Sequence, residues 1–171
     1  MEVYRGRKFS VKVVEKEIPG RGKARLEVVE YPESVVIIPV LDDGRLVMLK
    51  QYRGAVEEWL YELPAGTVEP GEEPEACAAR ELREETGYEP GRLELLASYY
   101  VSPGYSTELQ HLYMARDLVQ KGQQLDEDEA IEVVTVGLEE ALDMLWRGAI
   151  RDLKTVAGLL IYHARVFGRR L

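Results

Sequence analysis

Gly66-Thr-Val-Glu69-Pro-Gly-Glu72-Glu73-Pro74-Glu75-Ala-Cys77-Ala-Ala-Arg80-Glu81-Leu82-Arg83-Glu84-Glu85-Thr86-Gly87-Tyr88 is the stretch on which the reading of this chain turns. Pro74 in a first turn, Glu72, Glu73 and Glu75 at the positive end of a helix dipole, and Gly87 as a stop predict a helix over 74–86. At about 100° per residue, Glu81 and Glu85 share one face and Glu84 sits beside Glu81, while Ala78, Ala79 and Leu82 share a neighbouring apolar face suited to a sheet. As a purely structural helix this is poorly written. Like charges four apart destabilise a helix, and Glu84 and Glu85 also lie at its negative end. Two carboxylates about 6 Å apart at an effective dielectric of about 20 repel by roughly 3 kcal/mol before screening. A hard divalent cation turns that repulsion into attraction, because Mg²⁺ and Mn²⁺ favour carboxylate oxygens.

The spacing G-x5-E-x7-R-E-U-x-E-E-x-G-U resembles the Nudix box, with Gly66, Glu72, Arg80, Glu81, Glu84, Glu85 and Gly87 at its fixed positions. The one departure is Tyr88, where an aliphatic residue is usual; it bears on packing and not on metal binding. The resemblance implies hydrolysis of a nucleoside diphosphate linked to another moiety, with Mg²⁺ or Mn²⁺ as cofactor. It implies Glu81 and Glu85 as metal ligands, Glu84 as a ligand of a further ion, and the backbone carbonyl of Ala65 as another donor. Arg80 would hold the glutamates through ion pairs, the alternative being an ordinary surface pair, and Glu72 would cap or brace the loop.

Further stretches are similar to the ADP-ribose pyrophosphatase branch of that family. Pro103 lies sixteen residues after Gly87, in Ser102-Pro103-Gly104-Tyr105-Ser106-Thr107-Glu108. The acidic run Leu125-Asp126-Glu127-Asp128-Glu129-Ala130-Ile131 falls where similar enzymes keep a carboxylate for water activation and another for metal. By position Glu127 is the general base and Glu129 the additional ligand, with Asp126 and Asp128 as substitutes if the register shifts by one. The resemblance further gives Arg53, after Gln51-Tyr52, a phosphate or terminal ribose, and gives Glu27, Gly104 and Glu108 contacts to the substrate. It leaves the base to a contact near Arg7 or Lys8. Hydrolysis of ADP-ribose to AMP and ribose 5-phosphate is the leading expectation. Another nucleoside diphosphate sugar or dinucleotide, or a non-catalytic nucleotide sensor, are the alternatives.

Outward from this segment, Phe9, Val11 and Val13 and then Ala24 to Tyr31 alternate around Ile18-Pro-Gly-Arg-Gly-Lys23, which predicts an N-terminal antiparallel hairpin. Val35 to Leu41 reads as a buried strand, Leu46 to Tyr52 as the next after Asp42-Asp43-Gly44, and Trp59 to Leu63 as a short one ending at Pro64. Leu93 to Val101, Leu109 to Ala115 and Ile131 to Val136 read as strands, and Leu138 to Trp146 and Leu153 to Phe167 as helices. The expected fold is α+β, a Nudix-like αβα sandwich with a mixed sheet. Residues 1–33 form a hairpin region for dimerisation and nucleotide contact, and 34–171 the hydrolase domain. The length of that hairpin and the apolar stripe of the last helix predict a homodimer, as in similar enzymes.

Composition bounds the partners. The 171 residues carry 22 Lys and Arg against 31 Asp and Glu, a net charge of −9, which argues against nucleic acid as a partner. From Glu57 to Glu94 there are twelve glutamates and three basic residues, so a pyrophosphate would be repelled unless bound cations neutralise the cluster. No apolar run approaches the roughly 18–20 residues of a membrane span. The single cysteine, Cys77, excludes an intramolecular disulfide and fits a cytoplasmic protein. Cys77, His111 and His163 read as structural.

Overall fold

The structure, a computed structural model, describes residues 1–125 and 130–168. Three strands open the chain: β1 (Glu2–Arg5), β2 (Ser10–Ile18) and β3 (Gly22–Glu30), in one antiparallel sheet of order β1-β2-β3. The predicted hairpin is its β2–β3 pair. β1 is an addition, four exposed residues long, too short to show a period in sequence.

The rest of the chain runs β4 (Ser34–Pro39), β5 (Leu46–Arg53), β6 (Glu58–Glu62), β7 (Ala65–Thr67), α1 (Pro74–Thr86), β8 (Tyr88–Tyr100), β9 (Leu109–Gln120), β10 (Ile131–Val136), α2 (Leu138–Trp146) and α3 (Leu153–Phe167). A mixed sheet of order β7-β4-β9-β8 joins β4 to β9 in parallel and the other pairs antiparallel. A second sheet, β10-β5-β6, is antiparallel. β4 is buried along its whole length because it is covered on both faces, which is why its sequence is a continuous apolar run and not an alternating one. Val35 and Ile37 pack with Cys77, Ala78 and Leu82 of α1, whereas Val36 and Ile38 join Leu46, Met48, Leu112 and Leu159 in the cluster that includes α2 and α3. Each fully buried aliphatic side chain is worth about 1.5–3 kcal/mol, so these two clusters hold α1 and α3 on opposite faces of β4. The result is the expected α+β, αβα arrangement.

The structure departs from the sequence reading mainly in three places, one being β9, which runs on to Gln120 where the reading stops at Ala115. β8 begins at Tyr88, through Pro90-Gly91, and not at Leu93. It is an edge strand, where a proline costs no ladder bond, and a Cβ at Gly91 would lie 2.9 Å from the Asp117 carbonyl oxygen. Beyond Pro64 the chain forms another strand, β7, which crosses to β4 and pairs Ala65 with Val36. The N-terminal sheet is joined to the rest at its β3 end, where Val29 N–H donates to the Tyr105 carbonyl at 2.8 Å and Thr107 N–H to the Val29 carbonyl at 3.0 Å. Among the described residues no helix is long and apolar enough to cross a membrane.

Candidate active site

β7 and α1 build the centre of the site together. Ala65 N–H donates to Oε2 of Glu85 at 2.9 Å, and the Glu85 residue is only 3% exposed. A Cβ placed on Gly66 would lie 1.9 Å from Cδ of Glu81 and 2.0 Å from its Oε1. Any larger residue at this position would displace the Glu81 carboxylate from where it lies against the β7 backbone.

While Glu85 takes the Ala65 N–H, Arg80 offsets the like charges at Glu81 and Glu84. Its Nε and Nη2 donate to the two oxygens of Glu72 at 2.9 and 3.0 Å, while Nη1 donates to Oε1 of Glu81 at 2.8 Å and Oε2 of Glu84 at 3.0 Å. One planar guanidinium thus gathers three carboxylates, a task its fork of donors suits and an ammonium does not. Glu72 also accepts from Glu69 N–H at 3.0 Å, so it braces the loop entering α1; the helix N-cap itself is Glu73. The Arg80 guanidinium, followed by that backbone N–H, holds the Glu72 carboxyl down at about 2 against a desolvation cost, and Glu72 in turn raises Arg80. Cys77 is packed beneath, its thiol pushed up to about 12 by burial and then by the Glu72 and Glu81 charges, so it is no nucleophile near neutral pH.

These groups open onto a cleft of about 570 Å³. Of the residues expected in a site, Ala65, Arg80, Glu81, Glu84, Glu85, Arg53 and Glu108 line it. Arg7 and Lys8 also reach it, with Tyr31 between the N-terminal sheet and β4. Glu27 pairs with Val13 within the N-terminal sheet, and Gly104 lies on the loop before β9; neither lines this cleft. Glu127 and Glu129, with Asp126 and Asp128, lie outside the described residues. His111 bridges Ser98 Oγ at 2.8 Å and Glu33 Oε2 at 2.9 Å, and His163 packs on Phe167; neither lines the cleft.

Ser34, Gln110 and Lys154 line the cleft and carry no signal in sequence. Ser34 Oγ on β4 donates to Glu108 Oε1 at 2.8 Å and accepts from Gln110 Nε2 on β9 at 3.1 Å, so Ser34, itself held by Gln110, orients Glu108. Arg53 donates through Nε and Nη2 to both oxygens of Glu62, at 2.8 and 2.6 Å, and Lys154 ion-pairs with the same carboxylate. Burial alone would raise Glu62, but the Arg53 hydrogen bonds and the Lys154 charge outweigh it and the carboxyl is lowered.

The donor chemistry suits a hard divalent cation, since Glu81, Glu84, Glu85 and the Ala65 backbone offer oxygen alone. The structure carries Glu81 and Glu84 on Arg80, and among the described residues no three metal-ligating side chains stand ready-gathered.

A cleft lined by carboxylates and basic side chains on an αβα sandwich, with a glutamate-bearing helix over a glycine strand, is the arrangement expected of a metal-assisted hydrolase of phosphoanhydrides. Residues 30–159 match the family model described as the NUDIX domain. The chain belongs to the Nudix family of hydrolases. It is 38% identical over 156 residues to an ADP-ribose pyrophosphatase of Bacillus subtilis (strain 168), covering 90% of this chain and 84% of that one. It is 39% identical over 157 residues to a methanol dehydrogenase activator of Bacillus methanolicus, covering 91% and 85%. A crystal structure of an ADP compounds hydrolase superposes with a TM-score of 0.84 at 27% identity, covering 99% of this chain and 94% of that one.

Proposed function

We propose that this protein hydrolyses the pyrophosphate of ADP-ribose to AMP and ribose 5-phosphate, using Mg²⁺ with Mn²⁺ as a substitute. The observation that carries the reading is the joining of a carboxylate helix to basic side chains in one cleft: Glu81, Glu84 and Glu85 with Arg53, Lys154, Arg7 and Lys8. Glu81, Glu84, Glu85 and the Ala65 carbonyl would hold the metal, which when bound supplies charge neutralisation and an acidified water. Arg80 keeps Glu81 and Glu84 side by side through Nη1. Arg53 presents its Nη1 edge to a phosphate, because among the described residues Glu62 takes Nε and Nη2. Glu108, braced by Ser34, accepts from a hydroxyl of the substrate.

Glu127 is the proposed base and Glu129 the additional ligand. Support comes from the flanks of their loop: Gln124 N–H donates to the Glu84 carbonyl at 2.9 Å, and Tyr52 N–H to the Ala130 carbonyl at 3.0 Å. Gln124 and Glu84 line the cleft. Under this reading Glu127→Gln lowers kcat with little change in KM, and Glu129→Gln raises the metal concentration for half activity.

Residues 1–33 would supply a dimer contact, with Glu27 and Gly104 serving a partner's site. A cytoplasmic setting accords with the single buried thiol. The test is a panel of ADP-ribose, other nucleoside diphosphate sugars and dinucleotides with Mg²⁺, followed by chromatography of the products. AMP and ribose 5-phosphate from ADP-ribose at the highest kcat/KM support the reading, and a higher value for another member overturns it.

A further inference from the structure

Lys154 stands where local rules disfavour it. It occupies the first turn of α3, at the positive end of the helix dipole, where acidic residues are favoured and where this helix has none in its first turn. Its side chain is 15% exposed and lines the active cleft. Two carboxylates hold it there: Glu62, whose side chain is 1% exposed, and Asp152 at 2.9 Å. The same Glu62 carries Arg53.

α3 has docking contacts apart from the ion pairs of Lys154. Asp152 already caps the helix by accepting from Thr155 N–H at 3.0 Å and Oγ1 at 2.6 Å, and Thr155 Oγ1 accepts from the Leu63 backbone N–H at 2.8 Å. Leu159 and Tyr162 bury the apolar face, and Gly158 lies against Leu63, where an added Cβ would meet Cδ1 at 2.6 Å. A desolvated ion cluster is also a poor stabiliser compared with apolar side chains of equal volume. What the ion pairs do provide is two cations at fixed positions. Glu62 uses Nε and Nη2 of Arg53 and one N–H of Lys154, and Asp152 uses another, so among the described residues Arg53 Nη1 and one ammonium N–H are left for a ligand.

We propose that Lys154 is a substrate-binding residue that pairs with Arg53 to grip the diphosphate, and that buried Glu62 is the positioning residue holding both cations. This rests on the cleft being a diphosphate site and not on which nucleoside is attached. The same carboxylate couples strands β5 and β6 to α3, so it sets the separation of the two cations.

The test uses the full chain at fixed Mg²⁺ and calorimetric binding of methylenediphosphonate, which carries the bridged diphosphate with neither base nor sugar. Lys154→Met should weaken binding about tenfold and flatten the dependence of log Kd on log salt, and Lys154→Arg should recover most of the loss. Glu62→Gln should weaken it by a similar factor, because both cations lose their hold. If Lys154→Met does not fold, the paired variant Glu62→Gln with Lys154→Met, which leaves no unpaired carboxylate from this couple, replaces it and should show the same weakening. Wild-type affinity in a folded Lys154→Met or in the paired variant, with only the melting temperature lowered, overturns the proposal. Failure of ADP-ribose in the substrate panel with Lys154-dependent diphosphonate binding would overturn the proposed substrate and leave this inference standing.

Discussion

Arg80 carries Glu72, Glu81 and Glu84 on one guanidinium, and the consequences can be separated by substitution. Glu72 has its carboxyl lowered from the ordinary 4.5 to about 2, so the stability it contributes is full above 4.5 and is lost as pH falls towards 2. Glu72→Gln should therefore cost about 1–3 kcal/mol at neutral pH and flatten the acid limb of a melting-temperature profile across that window. An unchanged acid limb would show that Glu72 is not titrating there. Glu85 tests the metal directly. Glu85→Gln can keep the Ala65 N–H bond through its amide oxygen, so the fold should hold while turnover falls by orders of magnitude, about 10²-fold or more. Wild-type turnover of this variant, or of the protein in excess chelator, would remove the metal assignment. At this scale the site was legible in part. Box positions such as Gly66 and Arg80 follow from spacing, but the Glu81 carboxylate lying against the Gly66 backbone is tertiary geometry that spacing does not contain.

Elements were legible where local signals and tertiary burial agree. α1 runs over 74–86 as its caps and glutamates predict, and β4 is buried as its apolar run predicts. β1 and β7 were not, because strands of four and three residues have too little period to register. Pro90-Gly91 reads as a break in sequence and is absorbed at a sheet edge in space. The end of α1 offers a decisive test of how elements hold the site. Gly87 has φ 79°, and a Cβ there would lie 2.8 Å from the Gln123 backbone nitrogen and 2.9 Å from the Gly122 carbonyl carbon. Gly87→Ala thus combines left-handed strain of about 1–2 kcal/mol with a clash against backbone, for a loss of about 2 kcal/mol or more. It should also lower activity, since the segment it displaces is hydrogen-bonded to the carbonyls of Glu84 and Glu85. Urea denaturation and turnover measured together check this; a loss of stability with full activity would mean that the segment does not help to place the glutamates.

Across the whole molecule, the pieces hardest to read in sequence are those that meet from afar. Glu62 and Lys154 are 92 residues apart and share no spacing signal, so only the packing of α3 reveals them as neighbours. The N-terminal sheet poses the remaining question at this scale. None of residues 1–33 belongs to the two core clusters, and Val3, Tyr4, Phe9 and Leu26 stay exposed along a thin sheet. A three-stranded sheet exposing such side chains gains by covering them, and a second copy related by a two-fold axis covers both at once. That arrangement also gives Glu27 and Gly104 a site to serve, since neither lines the cleft of its own chain. Because the cores exclude these residues, deletion of 1–33 should leave a folded chain that is monomeric and has lost most of its nucleotide affinity. Light scattering of the intact active protein should give twice the 19.4 kDa chain mass, and a particle of 19.4 kDa would rule the dimer out. A truncated chain that stays dimeric would place the interface outside residues 1–33.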